Sequence, residues 1–348
     1  MAFSFTAFDL HISNYSSVKQ KITPTRWAPH GIITYMASND KQDTYHGEID
    51  EFISQRYHVI ARISTGGTSE IYKALDVSRN SQVVIKILPP DYSASEEKND
   101  EDSVGKTLDI SHRIIEKSAE FMTQEANFLK NCQHPNIIRL HDYNLEARRP
   151  YIVLDYLGNI SLKNEIFNGN RRVSIKKTSN ILAQICTALS YIHKKGFVYC
   201  DIKPSNIMSR RQKYTLIDFG LVRPIGMEIT GGTIGYMAPE VLQNDSKNVK
   251  ARPTLDIYAI GILLYELLTG FHPLASQKIY NNKNSYSFDR QSITDKTSIP
   301  SRASDLNPFL PKAFDRILLD CINKNPKDRY QSMDALLQDF EKAVASSI

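Results

Sequence analysis

The stretch Phe197-Val198-Tyr199-Cys200-Asp201-Ile202-Lys203-Pro204-Ser205-Asn206-Ile207-Met208 decides the reading of this chain. It has a short apolar start, then Asp, Lys and Asn at fixed offsets, then a second apolar pair. Ten residues past Met208 comes Asp218, which opens Asp218-Phe219-Gly220 directly after Leu216-Ile217. Asp201, Lys203, Asn206 and Asp218 thus stand in register between apolar, strand-like pairs.

The two segments resemble the catalytic loop and the metal-binding Asp-Phe-Gly of eukaryotic-like (Hanks-type) protein kinases. Phosphoryl transfer is mostly positioning and charge neutralisation, so it needs carboxylates and an amide around a metal, and a lysine for phosphate. The resemblance implies that Asp201 orients and deprotonates the substrate hydroxyl and that Lys203 neutralises the γ-phosphate. It implies that Asn206 and Asp218 hold Mg²⁺ on the phosphates of ATP. It also implies an α+β fold with the bilobal kinase architecture. A small β-rich N-lobe with one main helix is expected over residues 53–157, a larger, mainly helical C-lobe over 158–348, and an extension over 1–52.

Upstream, Tyr57-His58-Val59-Ile60-Ala61-Arg62-Ile63 alternates as a strand. Ser64-Thr65-Gly66-Gly67-Thr68-Ser69 follows, then a second strand, Glu70-Ile71-Tyr72-Lys73-Ala74. Such a hairpin can lie over phosphates, because backbone amides approach where no side chain intervenes. It is similar to the kinase glycine-rich loop, with Ser64 and Ser69 at the first and third glycine positions and Gly66 retained. Gln82-Val83-Val84-Ile85-Lys86-Ile87-Leu88 is a strand with one lysine in an apolar run. The family places there the lysine that contacts the α/β-phosphates and pairs with a helix glutamate. Residues 118–131 read as a helix on which Phe121, Glu125, Phe128 and Leu129 share a face, and Glu125 is the expected partner of Lys86. Leu129, Leu140, Phe219 and Tyr199 are expected to stack in one apolar column. Between residues 89 and 117 the acidic run 95–102 reads as a solvated loop, with a docking site as the alternative.

Pro150-Tyr151-Ile152-Val153-Leu154-Asp155-Tyr156-Leu157-Gly158 is a strand running into a linker, similar to the kinase hinge, with Leu154 at the gatekeeper position. The resemblance assigns Ile63, Gly66, Ile71 and Val84 to the nucleotide site. Lys86, Glu125, Leu154, Asp155, Leu157 and Met208 belong to the same set. Residues 178–194 form a long periodic helix that delivers the catalytic loop.

Tyr199-Cys200 replaces the family's His-Arg before the Asp. The missing arginine is the one that binds an activation-loop phosphate, so a non-RD kinase free of that clamp is expected, with Cys200 as a small buried residue. After Gly220 comes a short activation segment ending in Gly231-Gly232-Thr233-Ile234-Gly235-Tyr236 and Ala238-Pro239-Glu240. Thr230 and Thr233 are candidate autophosphorylation sites, with Thr233 better placed to bond Asp201 and Lys203. Lys203 and Thr233 together fit a Ser/Thr kinase. Asp256 is expected to hydrogen-bond the catalytic-loop backbone, and Arg329 to pair with Glu240. Residues 275–307 are polar and carry no assigned structure; 314–319 and 333–340 are amphipathic helices.

The 348 residues are 41% hydrophobic and 23% charged, ordinary for a globular protein. A net charge of +5 is too mild to argue for nucleic acid. Cys132, Cys186, Cys200 and Cys321 are far apart, against a zinc site or a disulfide framework and in keeping with a reducing compartment. The most apolar run, 257–268, is too short to span a membrane, and no secretory signal is visible. With Ile348 last, the spanning helix of receptor-type bacterial kinases is not expected. Residues 1–52, with the lone Trp27, read as an extension packed on the small lobe, a disordered tail being the alternative.

The expected function is an ATP- and Mg²⁺-dependent serine/threonine protein kinase with a protein substrate, aided by an activating partner. It would act in its own cytosol or in that of a host cell. A pseudokinase scaffold is the second reading, motivated by the serine-substituted loop, Val84 and Tyr199-Cys200. A small-molecule or lipid kinase is the third.

Overall fold

A computed structural model describes residues 53, 55–65, 69–89, 101–167, 172–243, 249–274, 276–280, 283–287, 293–295 and 300–347. Side chains are described for all of these except 65, 101–114 and 276–287. The expectations for residues 1–52, Gly66 and the acidic residues 95–100 lie outside the described residues.

The alternating stretches build an antiparallel sheet. Strands β1 (Tyr57–Thr65), β2 (Glu70–Asp76) and β3 (Ser81–Ile87) come first. Helix α1 (Glu101–Lys130) separates them from β4 (Leu140–Asn144) and β5 (Tyr151–Asp155). The order across the sheet is β1-β2-β3-β5-β4. Successive side chains of a strand face opposite ways. Val83, Ile85 and Ile87 therefore turn to one face, where they pack with Ile53, Tyr57, Tyr72 and Tyr151. Val84 and Lys86 turn to the other face, toward the helices.

Helix α1 corrects the sequence reading. It starts at Glu101, within the span read as loop, and runs for 30 residues. Glu, Lys, Leu and Ile are strong or tolerated helix formers, and the segment holds no proline, so helical propagation extends through its polar first half.

Helices α2 (Leu162–Phe167) and α3 (Ile175–Lys194) open the second half of the chain. Ser174 caps α3, its side chain accepting from Lys177 N, so the helix begins three residues earlier than expected at 178. Short strands β6 (Phe197–Val198), β7 (Ile207–Arg210), β8 (Lys213–Leu216) and β9 (Arg223–Pro224) follow. β7 pairs with β8 and β6 with β9, which fixes the catalytic-loop stretch at both ends.

After α4 (Pro239–Gln243), helix α5 (Pro253–Thr269) is buried on every side from Thr254 to Thr269. An all-round apolar helix belongs in a core. It ends at Gly270, whose left-handed φ of 80° suits glycine. Gly261 lies so close to the next layer that an added Cβ would sit 2.5 Å from Cys321 Cβ. The polar region 275–307, left without structure by the sequence, contains the hairpin β10 (Ser276–Tyr280) and β11 (Lys283–Ser287), and helix α6 (Ala303–Leu306). Helices α7 (Ala313–Cys321) and α8 (Met333–Ala345) lie where the amphipathic patterns put them. The fold is α+β, sheet first and helices after, as expected.

Candidate active site

Lys86 is carried by a central strand, so its position is fixed by sheet register opposite Ile152. Its Nζ donates to Glu125 Oε2 at 2.7 Å and to Asp218 Oδ1 at 2.9 Å. Glu125 comes from α1, is fully buried, and also accepts Phe219 N at 3.1 Å. Burial works against the charge on Lys86, but the two carboxylates outweigh it and raise its pKa. Burial raises Glu125 in spite of Lys86. At Asp218 burial also pushes upward, and the lysine outweighs it, so that carboxyl falls below its ordinary value. The three side chains form one charge network tying sheet, helix and Asp-Phe-Gly together.

Asp201 has both oxygens engaged. Thr233 Oγ1 donates to Oδ1 at 2.8 Å, while Lys203 Nζ at 2.7 Å and Asn206 Nδ2 at 2.8 Å donate to Oδ2. Lys203 also donates to Thr233 Oγ1 at 2.9 Å. The loop is held from beneath by Asp256, on the first turn of α5. Its buried carboxylate accepts Tyr199 N and Cys200 N, each at 2.9 Å, and meets His193 Nε2 at 2.8 Å. Both acidic segments use left-handed backbone, with φ 69° at Cys200 and 63° at Asp218. Cys200 is half-buried, a correction to the small buried residue expected. The backbone turns left-handed at this residue, and its Sγ lies against Val198 O at 3.6 Å. Burial still pushes its thiol well up, so it is no thiolate.

The expected apolar column lies within one core. Phe219 stacks on Phe128 at 5.1 Å and meets Tyr199 edge-on at 5.0 Å. Leu129 is buried in the same core, and Leu140 only packs against it. Phe128 adds a ring contact that sequence reasoning did not assign to it. Its signal was an aromatic side chain on the same helix face, one residue before Leu129.

Among the expected nucleotide residues, Val84 pairs across the sheet with Leu154, and Leu157 packs on the same core. Ile63 is exposed, while Ile71 and Met208 are half-buried. Asp155 Oδ1 meets His141 Nε2 at 2.6 Å. Arg79 Nη1 contacts His141 Nδ1, so the ring accepts there and donates from Nε2. A cavity of about 170 Å³ is lined by Lys86, Asp201, Asp218, Gly220, Ser69 and Phe121, among others.

On the far side, Arg329 grips Glu240 with both Nη atoms, at 2.8 and 2.7 Å, and lies 4.8 Å over the Tyr258 ring. Sequence reasoning missed Glu266 of α5. Its buried carboxylate accepts from the hydroxyl of Tyr236, in the segment just past Thr233, and Tyr236 packs edge-on against His272. Burial raises Glu266 from the ordinary 4.5 to about 7. A carboxyl raised on folding favours the fold below its unfolded value, and that contribution is lost as pH rises through 7, about 3 kcal/mol in all. Glu266→Gln keeps the acceptor and removes the charge. In paired thermal melts it should exceed wild type at pH 8.5 and match it at pH 5; an equal difference at both pH values would refute this origin.

Comparison with known proteins bears on the class of this chain directly. The protein kinase domain model matches residues 57–340, and the chain belongs to that family. Among curated relatives, a probable serine/threonine-protein kinase of Clostridium acetobutylicum is 29% identical, over 84% of this chain and 40% of the relative. Serine/threonine-protein kinase PrkC of Bacillus subtilis is 30% identical, over 85% of this chain and 41% of its own length. Serine/threonine-protein kinase PknL of Mycobacterium tuberculosis is 28% identical, over 85% and 67%. The chain thus spans about two fifths of the length of the first two. Among the described residues no helix is long and apolar enough to cross a membrane.

Proposed function

We propose that the chain is a serine/threonine protein kinase that transfers the γ-phosphate of ATP, with Mg²⁺, to a protein hydroxyl. One observation carries the reading: Asp201, Lys203, Asn206 and Thr233 converge in one hydrogen-bonded set, alongside a joined Lys86–Glu125–Asp218 network.

The donor set fits a hard cation. Asp218 is half-exposed toward the cleft, and Asn206 spends its amide nitrogen on Asp201, which leaves the amide oxygen as its ligand atom. Two oxygen ligands suit an ion that completes its shell from phosphate and water, as Mg²⁺ does. Bound there, the ion would supply charge neutralisation to the phosphates. Lys86 holds the α/β-phosphates, and Glu125 fixes Lys86. Asp201 orients the acceptor hydroxyl and takes its proton, with Lys203 beside it for the γ-phosphate. Ile63, Gly66, Ile71, Val84, Leu154, Asp155, Leu157 and Met208 enclose the base. Residues 53–157 serve as the nucleotide lobe, 158–348 as the substrate lobe and 1–52 as an extension for an activating partner. Four free cysteines suit a cytosol, of the producing cell or of a host.

The test is transfer of labelled γ-phosphate from Mg-ATP to a generic basic protein by wild type and Asp201→Ala. Label that disappears in the variant is expected. ATP binding by wild type without any transfer would overturn the reading and leave a pseudokinase.

A further inference from the structure

β7 and β8 join through Arg211 and Gln212, and the tip is left-handed at both residues, with φ 51° and 64°. Tight hairpins ordinarily place Asn or Gly there, because an L side chain is strained at positive φ. The tip is held from outside the hairpin. Gln212 O accepts from Gln184 Nε2 at 2.9 Å and from Asn180 Nδ2 at 3.4 Å, both on α3. Gln184 Oε1 in turn accepts Tyr214 N at 2.9 Å. Backbone strain that its surroundings keep in place points toward function.

What the tip presents is positive charge. Arg210 and Lys213 are paired across the hairpin, with Arg211 at the turn between them. Lys176 lies one helical turn before Asn180 on α3. All four cations are exposed, and none forms an ion pair among the described residues. Glu165 is the one acidic residue of α2, α3, β7 and β8. It is already engaged, by Lys177 at 3.1 Å and by Ser209 Oγ at 2.6 Å. Like charges without counter-charges repel, so an arriving anion is favoured.

The surroundings narrow the choice of anion. None of the large apolar side chains exposed on the molecule lies on α3, β7 or β8. A surface that lies on a membrane needs such residues to insert, and one that binds single-stranded nucleic acid needs aromatic faces. Peptide carboxylates need neither, and the forks of Arg210 and Arg211 suit them.

We propose that this ridge docks an acidic segment of the protein substrate, apart from the hydroxyl that is phosphorylated. The proposal rests on the kinase reading above. β7 starts directly after Asn206, and Arg210 is four residues further on, about 13 Å of extended chain. Docked segment and acceptor hydroxyl therefore fit on one substrate chain, joined by about twelve flexible residues with a reach of about 20 Å. Such a tether raises the local concentration of the hydroxyl at Asp201. It lowers KM and leaves kcat to the residues of the cleft.

The test uses the full chain and a generic protein substrate. Behind a flexible linker of about twelve residues the substrate carries a tail of about six glutamates or, as control, glutamines. Transfer is measured for wild type, for the triple variant Arg210→Gln/Arg211→Gln/Lys213→Gln and for Arg211→Asn. In wild type the glutamate tail should lower KM about tenfold against the glutamine tail, with kcat unchanged. In the triple variant the two tails should give one KM, and the untailed substrate should turn over as in wild type. Salt at about 0.5 M should erase the advantage, because screening shortens the reach of exposed charges. Arg211→Asn should melt no lower than wild type, since asparagine tolerates the left-handed turn, and should keep only part of the advantage. A fluorescein-labelled glutamate peptide, titrated with each protein, reads the dock without any transfer.

Equal KM for both tails in wild type would overturn the proposal, as would an advantage that survives in the triple variant. Co-sedimentation with phosphatidylserine vesicles through these residues, without binding of the peptide, would assign the ridge to a lipid surface and overturn it too. No transfer to any substrate would instead refute the kinase reading, and the peptide titration then decides the dock alone.

Discussion

Replacing Lys86 by methionine is expected to lower phosphate transfer by roughly 10²–10³-fold, the usual effect of removing one fixed charge from a reacting centre. It should also destabilise the fold by about 3–5 kcal/mol, because Glu125 is left buried without its cation. The two losses have different origins and separate in a double variant. Lys86→Met with Glu125→Gln removes the stranded charge, so urea unfolding should return close to wild type while transfer stays low. Recovery of transfer along with stability would show that Lys86 acts only through the fold. Asp218 cannot take the place of the missing cation, since it is itself a carboxylate whose charge works against that of Glu125.

Asp256→Asn carries the second large effect. The native carboxylate accepts from two adjacent backbone amides and meets His193. An asparagine must turn its own N–H toward one of these donors, leaving that donor unsatisfied in a fully buried place. A loss of about 1–3 kcal/mol follows. The loop carrying Asp201 relaxes, and transfer should fall by about 10²-fold. Nucleotide affinity should hold, because Lys86, Glu125 and Asp218 are untouched. Calorimetric ATP titration beside the transfer assay checks this; a matching fall in ATP affinity would mean that Asp256 supports the whole cleft and not the loop.

The parts of this molecule that sequence reading found are those whose chemistry is local. Asp201, Lys203 and Asn206 sit within six residues, so their spacing alone places them on one loop. Lys86 was legible because one charge interrupts an apolar strand. Glu125 and Asp256 needed register to a motif, and that register held. Arg223 was invisible for the opposite reason. Its partner Gln124 is 99 residues away, and nothing near Arg223 marks it as buried. Glu266 was hidden in an apolar helix that explains itself as core. The start of α1 was missed because acidic residues at 95–102 resemble a solvated loop, although the helical face continues upstream of residue 118. The stretches 276–280 and 283–287 are mostly polar in sequence, so period-two alternation gave no signal.

Left-handed backbone at Cys200 and Asp218 has a consequence for how portable the opening motif is. Each such L-residue costs roughly 1–2 kcal/mol relative to an ordinary conformation. A peptide spanning Phe197 to Gly220 would relax both turns and scatter its polar groups. The geometry exists only while Asp256 grips the amides from another helix and β6 and β7 are pinned by their partner strands. The motif is thus a short string to read but not a module to transplant: grafted onto another scaffold it would bring its residues and leave its shape behind.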